Sequence, residues 1–195
     1  MFEPFLVSTG VVALAEVGDK TQLLSLVLAT KYRKPVPIIL GVFAATLLSN
    51  TGAGGVGALL SGLLSPAVLN WAIVASFLLM AGWILVPEKL DGAGSGLPKR
   101  ASGVFMAVAL TFIMAEMGDK TQIATVALAA QFRDLLPVVA GTTLGMMIAN
   151  VPVVFFGHHF AARLPTKAIH VIAALIFVVL GGLALRNAIL GASIG

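Results

Sequence analysis

The chain has 195 residues, 59% of them hydrophobic and only 10% charged, against about 25% charged in ordinary soluble domains. With a mean hydropathy of +1.06, this composition excludes a soluble globular domain and indicates a polytopic membrane protein. Cysteine is absent, which excludes a disulfide framework, a thiolate metal site and a cysteine nucleophile. The net charge of +4 does not imply nucleic-acid binding, because the basic residues lie mostly in short loops, where anionic lipid headgroups and membrane topology account for them.

Six apolar runs are each long enough to cross about 30 Å of hydrocarbon as a helix. The first spans Phe5–Thr30 and is followed by the basic loop "KYRKP". Its "ALA" at Ala13–Ala15 resembles a signal-peptide cleavage site. However, no basic residue precedes it and Glu3 is acidic, so the run is read as a mature helix. The second spans Val36–Leu63 and is rich in small residues. The third spans Ala67–Val86, with Trp71 and Trp83 near its ends, where an interfacial aromatic belt would lie. "PEKLDGAGSGLPKR" follows, with the glycine, proline and charge of a linker. The fourth run is Ser102–Ala130, the fifth Leu135–Ala161 and the sixth Ala168–Ile189.

An internal repeat organises these segments. At an offset of 100 positions, with no gap, Ala15, Glu16, Gly18, Asp19, Lys20, Thr21, Gln22, Leu28, Ala29, Arg33, Pro37, Gly41 and Asn50 all meet identical residues. The chain therefore reads as a duplicated three-helix unit: residues 1–86, a cytoplasmic linker at 87–101, and residues 102–195. Three is odd, so the second unit enters the membrane from the opposite side. The expected fold class is all-α, with six transmembrane helices arranged as two inverted three-helix repeats. Loop charge supplies an orientation. Lys31, Arg33, Lys34, Lys89, Lys99, Arg100, Arg163 and Lys167 fall on one side, and only Arg133 and Arg186 on the other. The positive-inside rule then puts both termini away from the cytoplasm.

The chemistry lies in "AEVGDKTQ" and "AEMGDKTQ", which interrupt the first and fourth runs. Charge inside a membrane span costs a few kcal/mol per residue, so such residues are functional candidates. Glu16, Asp19, Gln22 and Ser25 step by three along one helix, and Glu116, Asp119, Gln122 and Thr125 along the other. All eight offer oxygen. Gly18 and Gly118 permit local unwinding, which would gather these oxygens toward one point. Two inverted helices crossing at the midplane would unite four carboxylates and two lysines, a charge of −2 that a divalent cation balances. Oxygen ligands without thiolate or imidazole suit Ca²⁺, Mn²⁺ or Mg²⁺. Because the carboxylates must deprotonate to bind, proton and cation compete for them. Lys20 lies too deep to snorkel. It pairs either with Glu16, four residues earlier, or with Asp119 of the other repeat.

These paired E-x-G-D-K-[TS] motifs on helices one and four of a duplicated six-helix chain resemble the Gdt-type cation/proton exchanger family. That family includes the Golgi manganese/calcium transporters and bacterial manganese exporters. The resemblance covers nearly the whole chain. It implies export of Mn²⁺, with Ca²⁺ second, in exchange for protons. It also implies motif roles for Glu16, Gly18, Asp19, Lys20 and Thr21, and for Glu116, Gly118, Asp119, Lys120 and Thr121. The long N-terminus and acidic central loop of eukaryotic members are absent, which fits a compact bacterial form in the plasma membrane.

The expected partners are the lipid bilayer, a divalent cation and protons, with no nucleic acid and no cofactor. The expected metal ligands are Glu16, Asp19, Gln22, Glu116, Asp119 and Gln122. Supporting them are Gly18, Lys20, Thr21, Ser25, Asn50, Gly118, Lys120, Thr121, Thr125 and Asn150. Competing structural roles are ion pairing for the carboxylates, interhelical hydrogen bonding for the glutamines, and helix packing for Asn50 and Asn150. Gly52, Gly54, Gly55 and Gly57 are expected at close helix contacts, and Met114, Met117, Met146 and Met147 in ordinary packing. His158 and His159 are expected in a solvated loop, His170 in a similar solvated role near the start of the sixth helix, and Arg33 and Arg133 at helix ends. Two other functions fit the residues less well. One is an intramembrane aspartyl protease with Asp19 and Asp119 as its dyad; the other is a passive cation channel.

Overall fold

The computed structural model describes residues 2–86, 103–157 and 165–192, and among these the only regular structure is helical. Among the described residues the helices are α1 (Phe2–Glu16), α2 (Lys20–Tyr32), α3 (Pro35–Leu63), α4 (Pro66–Trp83), α5 (Val104–Glu116), α6 (Lys120–Phe132), α7 (Leu135–Phe156) and α8 (Thr166–Ala192). Four of them, α3, α4, α7 and α8, are long and apolar enough to cross a membrane.

The first and fourth apolar runs are not single helices. Each breaks over three residues at its motif, separating α1 from α2 and α5 from α6. At 1.5 Å per residue, each half is only about 20 Å long. The break has a backbone cause. Gly18 and Gly118 adopt φ of +80° and +76°, in the left-handed region that costs a side-chain-bearing residue about 1–2 kcal/mol. Asp19 and Asp119 then return to extended backbone as the N-caps of α2 and α6.

The other boundaries follow similar local chemistry. Pro35 and Pro66 open α3 and α4, where the missing N–H is no loss. Arg33 and Arg133 close α2 and α6, each with φ 52° and its N–H on the carbonyl of Ala29 or Ala129. These two arginines are thus at helix ends, as expected. The linker at 87–101, His158, His159 and the end of the fifth run lie outside the described residues.

The two halves interlock. The broken helix of each half packs along the long second helix of the other: α1 and α2 against α7, and α5 and α6 against α3. Small residues allow the close approach. A Cβ on Gly41 would meet Phe105 O and Val108 at 2.9 Å, and at the repeat-equivalent Gly141 it would meet Phe5 O at 2.5 Å. The glycine-rich stretch of α3 divides by face. Gly54 and Gly57 press on α6 and α7, whereas Gly52 and Gly55 have nothing within 4 Å. Met146 is buried and Met147 packs on buried apolar residues, whereas Met114 and Met117 are exposed. Helices α4 and α8 pair with each other and flank α6 and α1.

Candidate metal centre

The two breaks meet. Glu16, Asp19 and Asp119 are buried, and each offers a carboxylate oxygen within 4.8 Å of the other two. An ion held at 2.3–2.6 Å spans ligand oxygens up to about 5 Å apart, so the cluster has the dimensions of a hard-cation site. Two of these acids come from the first motif and one from the second, although the motifs are 100 residues apart in sequence.

Lysines pair across the halves. Lys20 Nζ lies 3.0 Å from Asp119 Oδ1, and Lys120 Nζ contacts Asp19 Oδ1. Of the two partners left open for Lys20, the structure selects the other repeat. The break explains this choice: an i,i+4 pair with Glu16 requires continuous helix, and residues 17–19 are not helical. The Lys120 side chain is 1% exposed and that of Lys20 is 30% exposed, so the two ion pairs stand in different surroundings.

Glu16 sits between the two threonines of the motifs. Thr21 Oγ1 donates to its Oε2 at 2.5 Å, and Thr121 Oγ1 donates to its Oε1. Glu116 is placed differently. It is buried, yet neither of its oxygens accepts a hydrogen bond, and the Ser49 hydroxyl stands beside it without closing one. The fourth carboxylate of the sequence pattern is thus next to the cluster and not part of it. The three clustered carboxylates and two lysines leave one net negative charge, and Glu116 adds a second.

Gln22 and Gln122 brace the breaks. Gln22 Oε1 accepts from Gly18 N at 2.8 Å and its Nε2 donates to Ala149 O at 2.9 Å. Gln122 Oε1 accepts from Gly118 N at 3.1 Å and its Nε2 donates to Ser49 Oγ at 2.6 Å. Each amide therefore satisfies the N–H freed at its own glycine and ties the turn to the opposite half. One turn further on, the same exchange recurs. Ser25 donates to Asn150 Oδ1 at 2.7 Å, and Thr125 to Asn50 Oδ1 at 3.3 Å. Asn50 and Asn150 thus serve interhelical packing beneath the cluster.

Two site residues escaped the sequence reading. One is Ser49. The other is His170, expected to be solvated near the start of the sixth helix but found half-buried there, in α8, with Nε2 2.5 Å from Val17 O at the first break. The correction has a physical reason. Unwinding at 17–19 exposes a carbonyl, and α8 starts early enough, at Thr166, to bring an imidazole onto it. Both residues stand where the repeat fails, since position 149 is Ala149 and position 70 is Asn70.

Comparison with known proteins identifies a family. The family model described as the divalent cation/proton antiporter GDT1 matches twice, over residues 4–92 and 104–192. A Vibrio cholerae protein named "Putative manganese exporter" is 51% identical over 175 residues, covering 89% of this chain and 86% of that one. A GDT1-like protein of Synechocystis is 32% identical over 200 residues, covering 91% and 94%. GDT1-like protein 3 of Arabidopsis thaliana is 23% identical over 202 residues, covering 91% and 68%. No solved structure matches the chain. The family is one of transporters, which sets aside the protease reading. So does the geometry, because each aspartate is held by a lysine, whereas a protease dyad shares one proton between two free carboxyls. On the doubled match and these identities, this multi-pass membrane protein belongs to the GDT1 family of divalent cation/proton antiporters.

Proposed function

We propose that the chain exports Mn²⁺, and Ca²⁺ less well, from the cytoplasm by exchange with protons. The observation that carries this function is the meeting of Glu16, Asp19 and Asp119 at two helix breaks. Buried carboxylates with no thiolate or imidazole among them suit a hard or borderline divalent ion as substrate. The cation must displace protons or the lysine ammonium groups to bind, and this links its affinity to pH. Gln22 and Gln122 hold the unwound turns open, and Thr21 and Thr121 orient Glu16.

Alternating access would come from two inverted three-helix repeats, residues 1–86 and 102–195, joined by a cytoplasmic linker at 87–101. Both termini would then lie outside the cytoplasm and the protein in the plasma membrane. The packing supports inversion, since α1 touches α6 and α2 touches α5, as two antiparallel broken helices would. Flux in proteoliposomes tests the function, with Mn²⁺, Ca²⁺ and Mg²⁺ compared under an imposed pH gradient. Asp19→Asn and Asp119→Asn are expected to abolish it. Full flux in both variants would overturn the site, and flux indifferent to the pH gradient would restore the passive channel.

A further inference from the structure

The two motifs have nearly the same sequence but not the same surroundings. Glu16 accepts hydrogen bonds from both threonines, whereas Glu116 accepts none, although it is as fully removed from solvent. Lys120 is enclosed, and Lys20 is partly open. The first break is covered: a Cβ on Gly18 would meet Thr166 Cγ2 at 2.9 Å and His170 Nε2 at 3.6 Å. At the second, a Cβ on Gly118 would meet nothing within 4 Å among the described residues, and Met117 is 73% exposed. Each lysine follows the break its ammonium reaches, Lys120 to Asp19 at the covered first break and Lys20 to Asp119 at the second, so the seated carboxylate, the enclosed ion pair and the cover all fall at the first break.

We propose that Glu16 and Glu116 are alternate occupants of a single seat between Thr21 and Thr121. The seat passes from one to the other as access switches from the Lys20 side to the Lys120 side. Here both threonine hydroxyls are spent on Glu16, which leaves neither for Glu116. Near-identity of the motifs lets either glutamate fill the place. In the opposite state Glu116 accepts both hydroxyls and Glu16 withdraws. The start of α4, with Pro66 and Asn70 at the positions equivalent to Thr166 and His170, then closes over Gly118. Each glutamate thus carries its half of the cycle, and the structure represents one end of a two-state element. This inference rests on the inverted-repeat reading above.

The chain has no cysteine, so an introduced pair is the only thiol pair present. Thr166 Cβ lies 3.3 Å from a Cβ placed on Gly18, close to disulfide reach. Gly18→Cys with Thr166→Cys therefore reports the present state by its oxidation rate, and Gly118→Cys with Pro66→Cys reports the opposite one. Glu16→Gln removes the double acceptor from the seat. It is expected to slow the first pair and speed the second, changing the ratio of the two rates by about tenfold, the factor for losing one charge-assisted hydrogen bond. Glu116→Gln is expected to do the reverse. Rates that ignore which glutamate is changed, or that fall together in both backgrounds, would overturn the seat exchange. If cysteine at the left-handed Gly18 unfolds the chain, Val17→Cys with His170→Cys, and Met117→Cys with Asn70→Cys, read the same two closures. Oxidation needs no transported ion, so seat exchange can fail while flux and its aspartate dependence stand, and the reverse.

Discussion

The unequal burial of the two ion pairs sets up a direct test. In Lys120→Met the apolar stem of the side chain is kept and the ammonium lost, leaving Asp19 at 0% exposure without its buried counter-ion. Removing one partner from a buried pair costs about 3–5 kcal/mol. The same change at Lys20 removes a cation whose side chain is 30% exposed, so water screens part of the interaction; with Asp119 itself buried, about 2 kcal/mol is expected. For a chain of this size 1 kcal/mol moves the melting midpoint by about 2–4 °C, so the two variants should differ by several degrees. The assay is thermal unfolding in detergent at neutral pH without divalent cation. Asp19→Asn added to Lys120→Met removes the orphaned charge and should recover most of the loss. Mn²⁺ should also stabilise Lys120→Met more than the parent chain, because the site is then more negative and the ion binds the folded state alone. A loss at Lys120 of no more than about 1 kcal/mol, or a double variant no better than the single, would refute a buried Asp19–Lys120 pair.

Other outcomes follow from the same geometry. Gly118→Ala should lose about 1–2 kcal/mol from its left-handed backbone alone. Gly18→Ala should lose more, because its new Cβ meets the Thr166 methyl at 2.9 Å, and adding Thr166→Ser should return the excess in the same melting assay. Stabilisation by Mn²⁺ should shrink as the pH falls from about 8 to about 5.5, since protonated carboxyls cannot bind the ion. The sign is fixed by competition, and a shift that grows on acidification would contradict it. Asn150→Leu strands the Ser25 hydroxyl and an interhelical bond, and should cost about 1–3 kcal/mol in thermal stability.

Much of this arrangement was legible in the sequence because membrane burial restricts what a charged residue can do. Acidic residues inside apolar runs mark a site, and a glycine between them marks where helix gives way to turn. Both signals survive without knowledge of the tertiary contacts. The offset of 100 positions then implies that whatever holds for Glu16 holds for Glu116, and that Lys20 and Lys120 are equivalent. Here the sequence pattern misleads. Both hydroxyl protons go to Glu16, so the near-identical motifs divide into one seated and one unseated glutamate. No local propensity expresses that division. It arises only when both copies share one space.

The departures from the repeat held the missing information. Position 49 is serine where 149 is alanine, and position 170 is histidine where 70 is asparagine. Ser49 stands beside the unseated Glu116 and accepts the Gln122 amide; His170 covers the break beside the seated Glu16. Each departure therefore lies at a place where the halves differ in structure. A perfectly repeated chain would give its two end states equal energy. Substitutions beside each break give the states unequal hydrogen bonding and so set their balance. Restoring the repeat is then a perturbation with a defined direction. Ser49→Ala removes the hydroxyl beside the withdrawn Glu116, and His170→Asn weakens the cover on Val17. Both should favour the opposite state and speed closure of the pair introduced at positions 66 and 118. A rate unchanged by either substitution would mean that these departures from the repeat leave the balance untouched.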